Sequence, residues 1–203
     1  MTRFFLIRHG QTGWNREARF RGRVDIELDD AGMRQAEAAA ERLAQCGAAA
    51  VYSSPLKRAL MTAEPIARRI GLEVSPLEGI NDMDFGVWEG RSVDEVREQD
   101  KELFDIWRKD PDRVRIPGGE TLEEVRDRVA ATVDDLAARH DDGTVLLVTH
   151  RVVCKVLLCH LLGLDNSHFW QIAQDTAAVS LFYTGGGRST VSLVNDTCHL
   201  KGL

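Results

Sequence analysis

The apolar positions of the chain fall into two kinds of pattern, which alternate along most of its length. Residues 4–7 (FFLI) and 145–148 (VLLV) are short, unbroken apolar runs, which are typical of strands buried on both faces of a parallel sheet. Residues 31–46 instead repeat their apolar positions at intervals of three and four, which indicates one apolar helix face. The alternation of the two patterns predicts an α/β fold.

Capping and turn signals divide the chain into further elements. Ser54-Pro55 predicts an N-cap followed by proline at the first helical position. Capping boxes at 92–95 and 121–124 begin two more helices, and Gly185–Gly187 joins two strands as a hairpin turn. The prediction is therefore strands at 3–8, 49–52, 72–74, 144–149, 179–183 and 190–194, and helices at 31–46, 55–70, from 93, 122–140 and 152–162.

This order of elements predicts a three-layer α/β/α sandwich with a mostly parallel central sheet. No repeat, low-complexity tract or linker interrupts the sequence, so we expect a single domain over residues 1–203. Residues 78–91 have no clean period and contain three glycines, which is typical of a functional loop. The edge of the terminal hairpin is a candidate surface for a homodimer.

Composition narrows the class of protein. The net charge is −6, so general binding of nucleic acid is not expected. No apolar stretch is long enough for a membrane span, and the apolar run at the N-terminus is too short for a signal peptide. The four cysteines form no C-x-x-C pair, so we expect reduced thiols, no metal site and a cytoplasmic enzyme.

Two histidines mark the candidate chemistry. His9 follows the apolar run at 4–7, with Arg8 beside it, and His150 follows the run at 145–148. In open α/β sheets the ligand crevice lies beyond the carboxyl ends of the strands, so we expect both histidines in one crevice. Arg58, in the first turn of a predicted helix, supplies a second guanidinium for a dianion. This set favours a small anionic ligand, and above all a phosphoryl group.

Neutral imidazole attacks an anionic phosphoryl group more readily than a carboxylate does, and cations offset the charge of its oxygens. His9 is therefore the candidate nucleophile. The leaving alkoxide needs a proton from a nearby carboxyl group. The loop at 78–91 offers four acids for that role: Glu78, Asp82, Asp84 and Glu89.

Residues 8–15 (RHGQTGWN) resemble the R-H-G-E-T-x-W-N signature of the histidine phosphatase superfamily, in its phosphoglycerate-mutase-like branch. The resemblance implies an α/β/α fold, a phosphohistidine on His9, and phosphate contacts from Arg8, Arg58 and His150. It implies no metal and no cofactor. Further matches follow in the family's order over most of the chain: 22–36, 53–59, 85–90, 118–121 and 148–150.

The departures from the family pattern concern the acid and the substrate. The family's glutamate, three residues before Phe-Gly, is Asp82 here; aspartate does the same chemistry with one methylene less, so we assign Asp82 as the acid. Arg21 and Arg151 stand where the family has other residues, and both indicate a second anionic group on the substrate. The resemblance also assigns Asn15 and Gly22 to substrate binding.

The chain is shorter than typical mutases of the family and lacks their Glu-Arg-His-Tyr-Gly segment, which favours hydrolysis of a small phosphorylated metabolite. Residues 195–200 resemble the end of metal-independent phosphoserine phosphatases. We therefore favour phosphoserine or a related carboxylated phosphoester, with His199 as a ligand of the carboxylate. The alternatives are a cofactor-dependent phosphoglycerate mutase and, from another class, a phosphate-binding regulatory protein without an effective acid.

Overall fold

A six-stranded sheet forms the centre of the computed structural model, which describes residues 1–203. The strands lie in the order β3-β2-β4-β1-β5-β6. The first four are parallel to one another, whereas β5 is antiparallel to β1 and β6 is antiparallel to β5. The predicted mostly parallel sheet is confirmed. The strands are β1 (Thr2–Arg8), β2 (Ala50–Ser53), β3 (Val74–Pro76), β4 (Thr144–Thr149), β5 (Val179–Gly185) and β6 (Arg188–Asp196).

Seven α-helices surround the sheet, and short 3₁₀ turns connect several of the elements. None of the helices combines the length and the apolar character needed to cross a membrane. The helices are α1 (Gly13–Arg16), α2 (Asp30–Leu43), α3 (Lys57–Ile70), α4 (Val93–Gln99), α5 (Lys101–Lys109), α6 (Leu122–Arg139) and α7 (Arg151–Leu161).

Alternate residues of the central strands enter two separate cores. Phe4 and Leu6 of β1 pack in a cluster of 29 buried residues with side chains of α5, α6 and α7. Ile7 of β1 packs in a cluster of 13 with side chains of α2 and α3. Since helices cover both faces, the central strands need apolar residues at nearly every position. This explains the unbroken apolar runs and confirms the three layers.

The start of α3 differs from the prediction. Its N-cap is Leu56, and the helix begins at Lys57 rather than at Pro55. The hydroxyl of Ser54 accepts a hydrogen bond from the Leu56 amide and donates one to the Asn81 side chain. A contact distant in sequence therefore holds Ser54 in a turn that precedes the helix.

Several other boundaries and elements also differ from the prediction. Helix α2 begins at Asp30, capped by the Asp29 side chain, and ends at Leu43. Strand β3 lies at Val74–Pro76 rather than 72–74, because the Leu72 amide still bonds to the carbonyl at the end of α3. Helices α1 and α5 were not predicted, since neither is long enough to show several turns of clear periodicity.

Two glycines allow the loop after β1 to lie against α2. A Cβ on Gly10 would lie 2.7 Å from the Gly32 carbonyl oxygen, and a Cβ on Gly32 would lie 2.1 Å from the Gln11 carbonyl oxygen. Both separations are well below van der Waals contact. The backbone that follows His9 is therefore fixed by a close approach that only glycine permits at these positions.

We expect Gly32→Ala to lower the free energy of unfolding by about 1–3 kcal/mol, because the added methyl group forces the two backbones apart. Gly13→Ala is the matched control, since a Cβ there meets nothing within 4 Å. Denaturant unfolding of the two variants provides the measurement. Equal stability of both would show that the loop is not tightly packed against α2.

Candidate active site

His9 and His150 meet because β1 and β4 are parallel neighbours in register. Arg8 pairs with Thr149 at the carboxyl ends of the two strands, and the His9 amide donates to the Thr149 carbonyl at 2.8 Å. Strands β1 and β4 both end just before these histidines, and the two imidazole rings lie with their centroids 5.3 Å apart. The structure thus brings the two predicted histidines into one site.

One hydrogen bond fixes the tautomer of His9. Its Nδ1 atom lies 2.7 Å from the Gly10 carbonyl oxygen. A carbonyl oxygen can only accept, so Nδ1 carries the proton and Nε2 keeps the lone pair of neutral imidazole. The residue is 1% exposed, and burial, followed by the charges of Arg58 and His150, lowers the pKa of His9 well below 6.5. His9 is therefore a neutral imidazole with a free Nε2.

His150 has the opposite tautomer. Arg58 Nε donates to His150 Nδ1 at 3.3 Å, so the proton of the neutral ring resides on Nε2. That Nε2 atom is buried and has no hydrogen-bond partner. Burial and then the charge of Arg58 lower the pKa of His150 well below 6.5. His150 thus offers an unused N–H donor beside the lone pair of His9.

Arg58 lies in the first turn of α3, as predicted, and is fully buried. A guanidinium has five N–H donors, and four hydrogen bonds occupy this one in the free protein. Only one Arg58 donor remains for a phosphoryl oxygen. A bidentate contact with a dianion therefore requires one of the present hydrogen-bond partners of Arg58 to leave. The four acceptors are His150 Nδ1, the carbonyl oxygens of Val24 and Gly22, and Asp82 Oδ2.

Asp82 is the partner that can leave. Its carboxylate Oδ2 lies 3.0 Å from Arg58 Nη2 and 3.5 Å from His150 Nδ1, and the residue is 5% exposed. Of the four acids considered from the sequence, Asp82 alone accepts a hydrogen bond from Arg58. The side chains of Glu78, Asp84 and Glu89 instead accept hydrogen bonds within their own loop or from its neighbours.

Arg128 of α6 fixes the loop that carries Asp82, and no sequence pattern indicates this role. Its guanidinium donates to the backbone carbonyls of Gly79, Asn81 and Asp82 at 2.9–3.1 Å. Glu120 holds the same guanidinium through two further hydrogen bonds. Nothing local distinguishes Arg128 from the other helix arginines, because its acceptors come from a segment nearly fifty residues away.

Arg8 completes what we call the Arg–His cluster: Arg8, His9, Arg58 and His150. Arg8 Nη1 donates to the Gln174 carbonyl at 2.6 Å, whereas its Nε is buried without a partner. Burial, followed by the charges of Arg151 and Arg21, lowers the pKa of Arg8 to about 9. Arg8 and His150 therefore each bring a buried nitrogen without a partner to the cluster, and Asp82 is the one carboxylate that contacts it.

A crevice of about 160 Å³ reaches Asp82, but its lining does not include the four residues of the Arg–His cluster, which lie together behind Asp82 rather than in the crevice wall as expected. Its size suits a substrate with few atoms besides the phosphoryl group. Asp82 is the only carboxylate in the wall, which is otherwise formed by arginines, aromatic rings and small residues. The lining residues are Arg19, Phe20, Arg21, Gly22, Asp82, Phe85, Val93, Phe104, Trp107, Arg108, Arg151, Val152 and Trp170.

A family model for the histidine phosphatase superfamily, branch 1, matches residues 4–197. The chain belongs to this superfamily. Phosphoserine phosphatase 1 of Hydrogenobacter thermophilus is 37% identical over 200 residues, which cover 98% of this chain and 95% of that protein. YhfR of Bacillus stearothermophilus has a TM-score of 0.95 at 32% identity, covering 99% of this chain and 100% of that one.

A third relative is the phosphoserine phosphatase of Entamoeba histolytica, solved in complex with 3-phosphoglyceric acid. Its TM-score is 0.85 at 29% identity, covering 98% of this chain and 100% of that chain. These matches confirm the predicted family and fold, and the prediction of a phosphatase that acts on small phosphorylated metabolites.

Of the residues that we predicted to bind substrate in this histidine phosphatase, some line the crevice and others do not. Arg21 and Gly22 line the crevice, as expected. Asn15 lies outside the lining, and its side chain accepts hydrogen bonds from the amide and hydroxyl of Thr12. Asn15 thus shapes the loop after His9.

His199 also lies outside the crevice lining. Its Nε2 is 3.1 Å from the Ala177 carbonyl oxygen, and the Ala177 amide in turn donates to the carbonyl of His9. The C-terminal segment therefore supports the backbone behind His9. The structure does not bring the His199 ring to the place where we expected it to bind a carboxylate.

No group of three or more His, Cys, Asp and Glu side chains in this histidine phosphatase is arranged to hold a metal ion. The charge around the Arg–His cluster comes instead from buried arginines. Arg21 Nε, like Arg8 Nε, is buried without a partner, and burial lowers the pKa of Arg21 to about 10.

We expect the acid limb of kcat/KM for nitrophenyl phosphate to lie below pH 6.5, the ordinary pKa of histidine. A protonated His9 cannot attack, and a lowered pKa keeps His9 neutral to lower pH; kcat/KM reports this ionisation in the free enzyme. A pH–rate profile, corrected for the ionisation of the substrate, provides the measurement. His168→Ala, at an exposed histidine, should leave the limb in place, and a wild-type limb at or above pH 6.5 would contradict a buried neutral His9.

Proposed function

We propose that the protein hydrolyses small phosphomonoesters in two steps, through a phosphohistidine on Nε2 of His9. The observation that carries the proposal is the hydrogen bond of His9 Nδ1 to the Gly10 carbonyl, 2.7 Å long. It leaves Nε2 as the only nitrogen of the ring with a lone pair. Buried arginines supply the positive charge that an anionic phosphoryl group requires, and the free N–H of His150 adds a hydrogen-bond donor.

In the first step, His9 Nε2 attacks phosphorus and the bond from phosphorus to the ester oxygen breaks. Asp82 gives its proton to the leaving alkoxide, which departs as the neutral alcohol. In the second step, Asp82 takes a proton from water while the water oxygen attacks phosphorus. The phosphorus–nitrogen bond then breaks, which releases phosphate and restores neutral His9.

The binding of substrate prepares Asp82 for the first step. In the structure, Asp82 Oδ2 lies 3.0 Å from Arg58 Nη2. When the substrate binds, a phosphoryl oxygen takes the place of this carboxylate at Arg58 Nη2. This exchange gives Arg58 two donors for the dianion. The freed carboxyl group lies next to the negative charge of the phosphoryl oxygens, which favours its protonated form. The exchange therefore places a proton donor beside the leaving group as the phosphate binds.

Arginines supply the positive charge in this scheme and the N–H of neutral His150 adds a donor, so we expect the reaction to need no metal ion and no other cofactor. The substrate class that we favour is phosphoserine or a related carboxylated phosphoester. Arg21 at the crevice wall supports this choice, as do the two relatives named as phosphoserine phosphatases. A mutase would use the same cluster but pass the phosphoryl group to a second alcohol, and a requirement for a bisphosphate would identify it.

We expect His9 to be phosphorylated during turnover. Quenching in base, followed by mass spectrometry, should find an acid-labile adduct on the peptide that contains His9, and His9→Ala should abolish steady release of phosphate. His168→Ala changes an exposed histidine that bonds only to its own turn, and should retain the adduct. An adduct found on His150 alone would overturn the assignment.

The role of Asp82 is tested by the leaving group. Asp82→Asn should slow alkyl phosphates about 10²–10⁴-fold, the usual contribution of general acid catalysis. Nitrophenyl phosphate should lose far less, because nitrophenolate departs without a proton. Asp84→Asn is the matched control in the same loop and should not discriminate between the two leaving groups. Equal losses for both substrates in Asp82→Asn would assign the proton to another acid, and an inactive wild type that still binds phosphate would favour the regulatory alternative.

A further inference from the structure

A second group of cations lies along the crevice, beyond the Arg–His cluster. We call it the basic trio: Arg108 of α5, and Arg151 and Lys155 of α7. Arg108 and Arg151 line the crevice. The only carboxylate in that lining, Asp82, already pairs with Arg58. Two guanidinium groups thus face a narrow space that holds no free anionic side chain.

Lys155 is a buried cation without a carboxylate partner. The residue is 5% exposed, and its Nζ lies 4.7 Å from the ring centroids of both Phe169 and Trp170. Burial, followed by the charge of Arg151, lowers the pKa of Lys155 to about 8, and no carboxylate acts in the other direction. The aromatic faces only partly replace the water that this ammonium group has lost.

The Trp170 ring contacts two members of the trio, Arg108 and Lys155. The carbon at the centre of the Arg108 guanidinium lies 4.9 Å from the Trp170 ring centroid, so this ring contacts two of the three cations. Its Nε1 donates to the Trp107 carbonyl at 2.8 Å, which fixes the plane of the ring. The positions of Arg108 and Lys155 therefore follow from one anchored indole at the crevice wall.

The trio lies close to the expected phosphoryl group. Arg151 directly follows His150, whose buried Nε2 has no partner, so their Cα atoms are about 3.8 Å apart. Lys155 is four residues further along α7 and shares the face of Arg151. Helix α7 therefore carries a donor for the phosphoryl group at its N-cap, His150, and a cation in each of the two turns that follow. An anion linked to the phosphate by a few bonds would reach them.

From this arrangement we infer that Arg108 and Arg151 bind the carboxylate of a phosphorylated hydroxy acid or amino acid, with Lys155 as the supporting charge behind them. The inference rests on the proposed function and adds the residues that select the substrate. It also moves the carboxylate site away from His199, which bonds to the Ala177 carbonyl. Asp82, whose charge acts on Arg151, is the only carboxylate in the crevice wall, and it is paired with Arg58.

Phosphoserine and phosphoethanolamine test this inference, because they differ only by the carboxylate. We expect wild type to prefer phosphoserine in kcat/KM. Arg151→Met should lower kcat/KM for phosphoserine, mainly through KM, by about ten- to a hundredfold more than for phosphoethanolamine, as expected for the loss of a charge-assisted hydrogen bond. Arg34→Met, at an exposed arginine of α2, is the matched control and should change neither substrate.

Lys155→Met separates a supporting charge from a structural role. Methionine keeps the apolar contact with the two rings and removes a buried, uncompensated cation. We therefore expect a higher Tm for the free protein together with a smaller preference for phosphoserine. A lower Tm with the wild-type preference retained would show that Lys155 only fills space, and would remove it from the carboxylate site.

The outcomes distinguish this inference from the proposed function. If wild type forms phosphohistidine but hydrolyses both substrates equally well, the carboxylate site is overturned and the mechanism stands. If no adduct forms and neither substrate releases phosphate, the mechanism fails. Binding to His9→Ala, followed as a rise in Tm, then still decides the carboxylate site. Stronger protection by phosphoserine than by phosphoethanolamine supports it, and equal protection overturns it.

Discussion

The backbone hydrogen bond from His9 to the Thr149 carbonyl ends the ladder between β1 and β4, and the active site depends on it. Both strands are covered by helices on both faces, so neither can shift its register by one residue without moving its apolar side chains to the wrong core. The two imidazole rings therefore inherit their spacing from the packing of the sheet. No flexible loop has to bring the two rings together.

Around this fixed pair, the protein concentrates positive charge that the rest of the fold does not neutralise. Arg8, Arg21 and His150 each keep a buried N–H without a partner, and Asp82 is the one acid that enters the group. Such an arrangement costs stability in the free protein. The cost is offset when an anion binds, so the same groups that strain the folded state supply the affinity for a phosphorylated ligand.

The parts of the molecule that follow from local sequence could be predicted. The unbroken apolar runs gave the buried strands, the strand ends gave His9 and His150, and the capping boxes at Ser92 and Thr121 begin helices as expected. The features that local sequence could not reveal include two that depend on contacts between distant segments. The hydroxyl of Ser54 bonds to Asn81 and so delays the start of α3, and Arg128 acts on a loop that its own helix gives no reason to expect.

Aromatic side chains form part of the crevice wall, and the four residues of the Arg–His cluster are buried. His9 and His150 expose at most 1% of their surfaces, so in the mechanism that we propose we expect water to reach the phosphorylated His9 only after the alcohol has left. In that mechanism Asp82 first gives its proton to the departing oxygen, so it can accept a proton from water only afterwards. Under this mechanism, the burial of the two rings sets the order of the steps: the alcohol has to leave before water can attack and release phosphate.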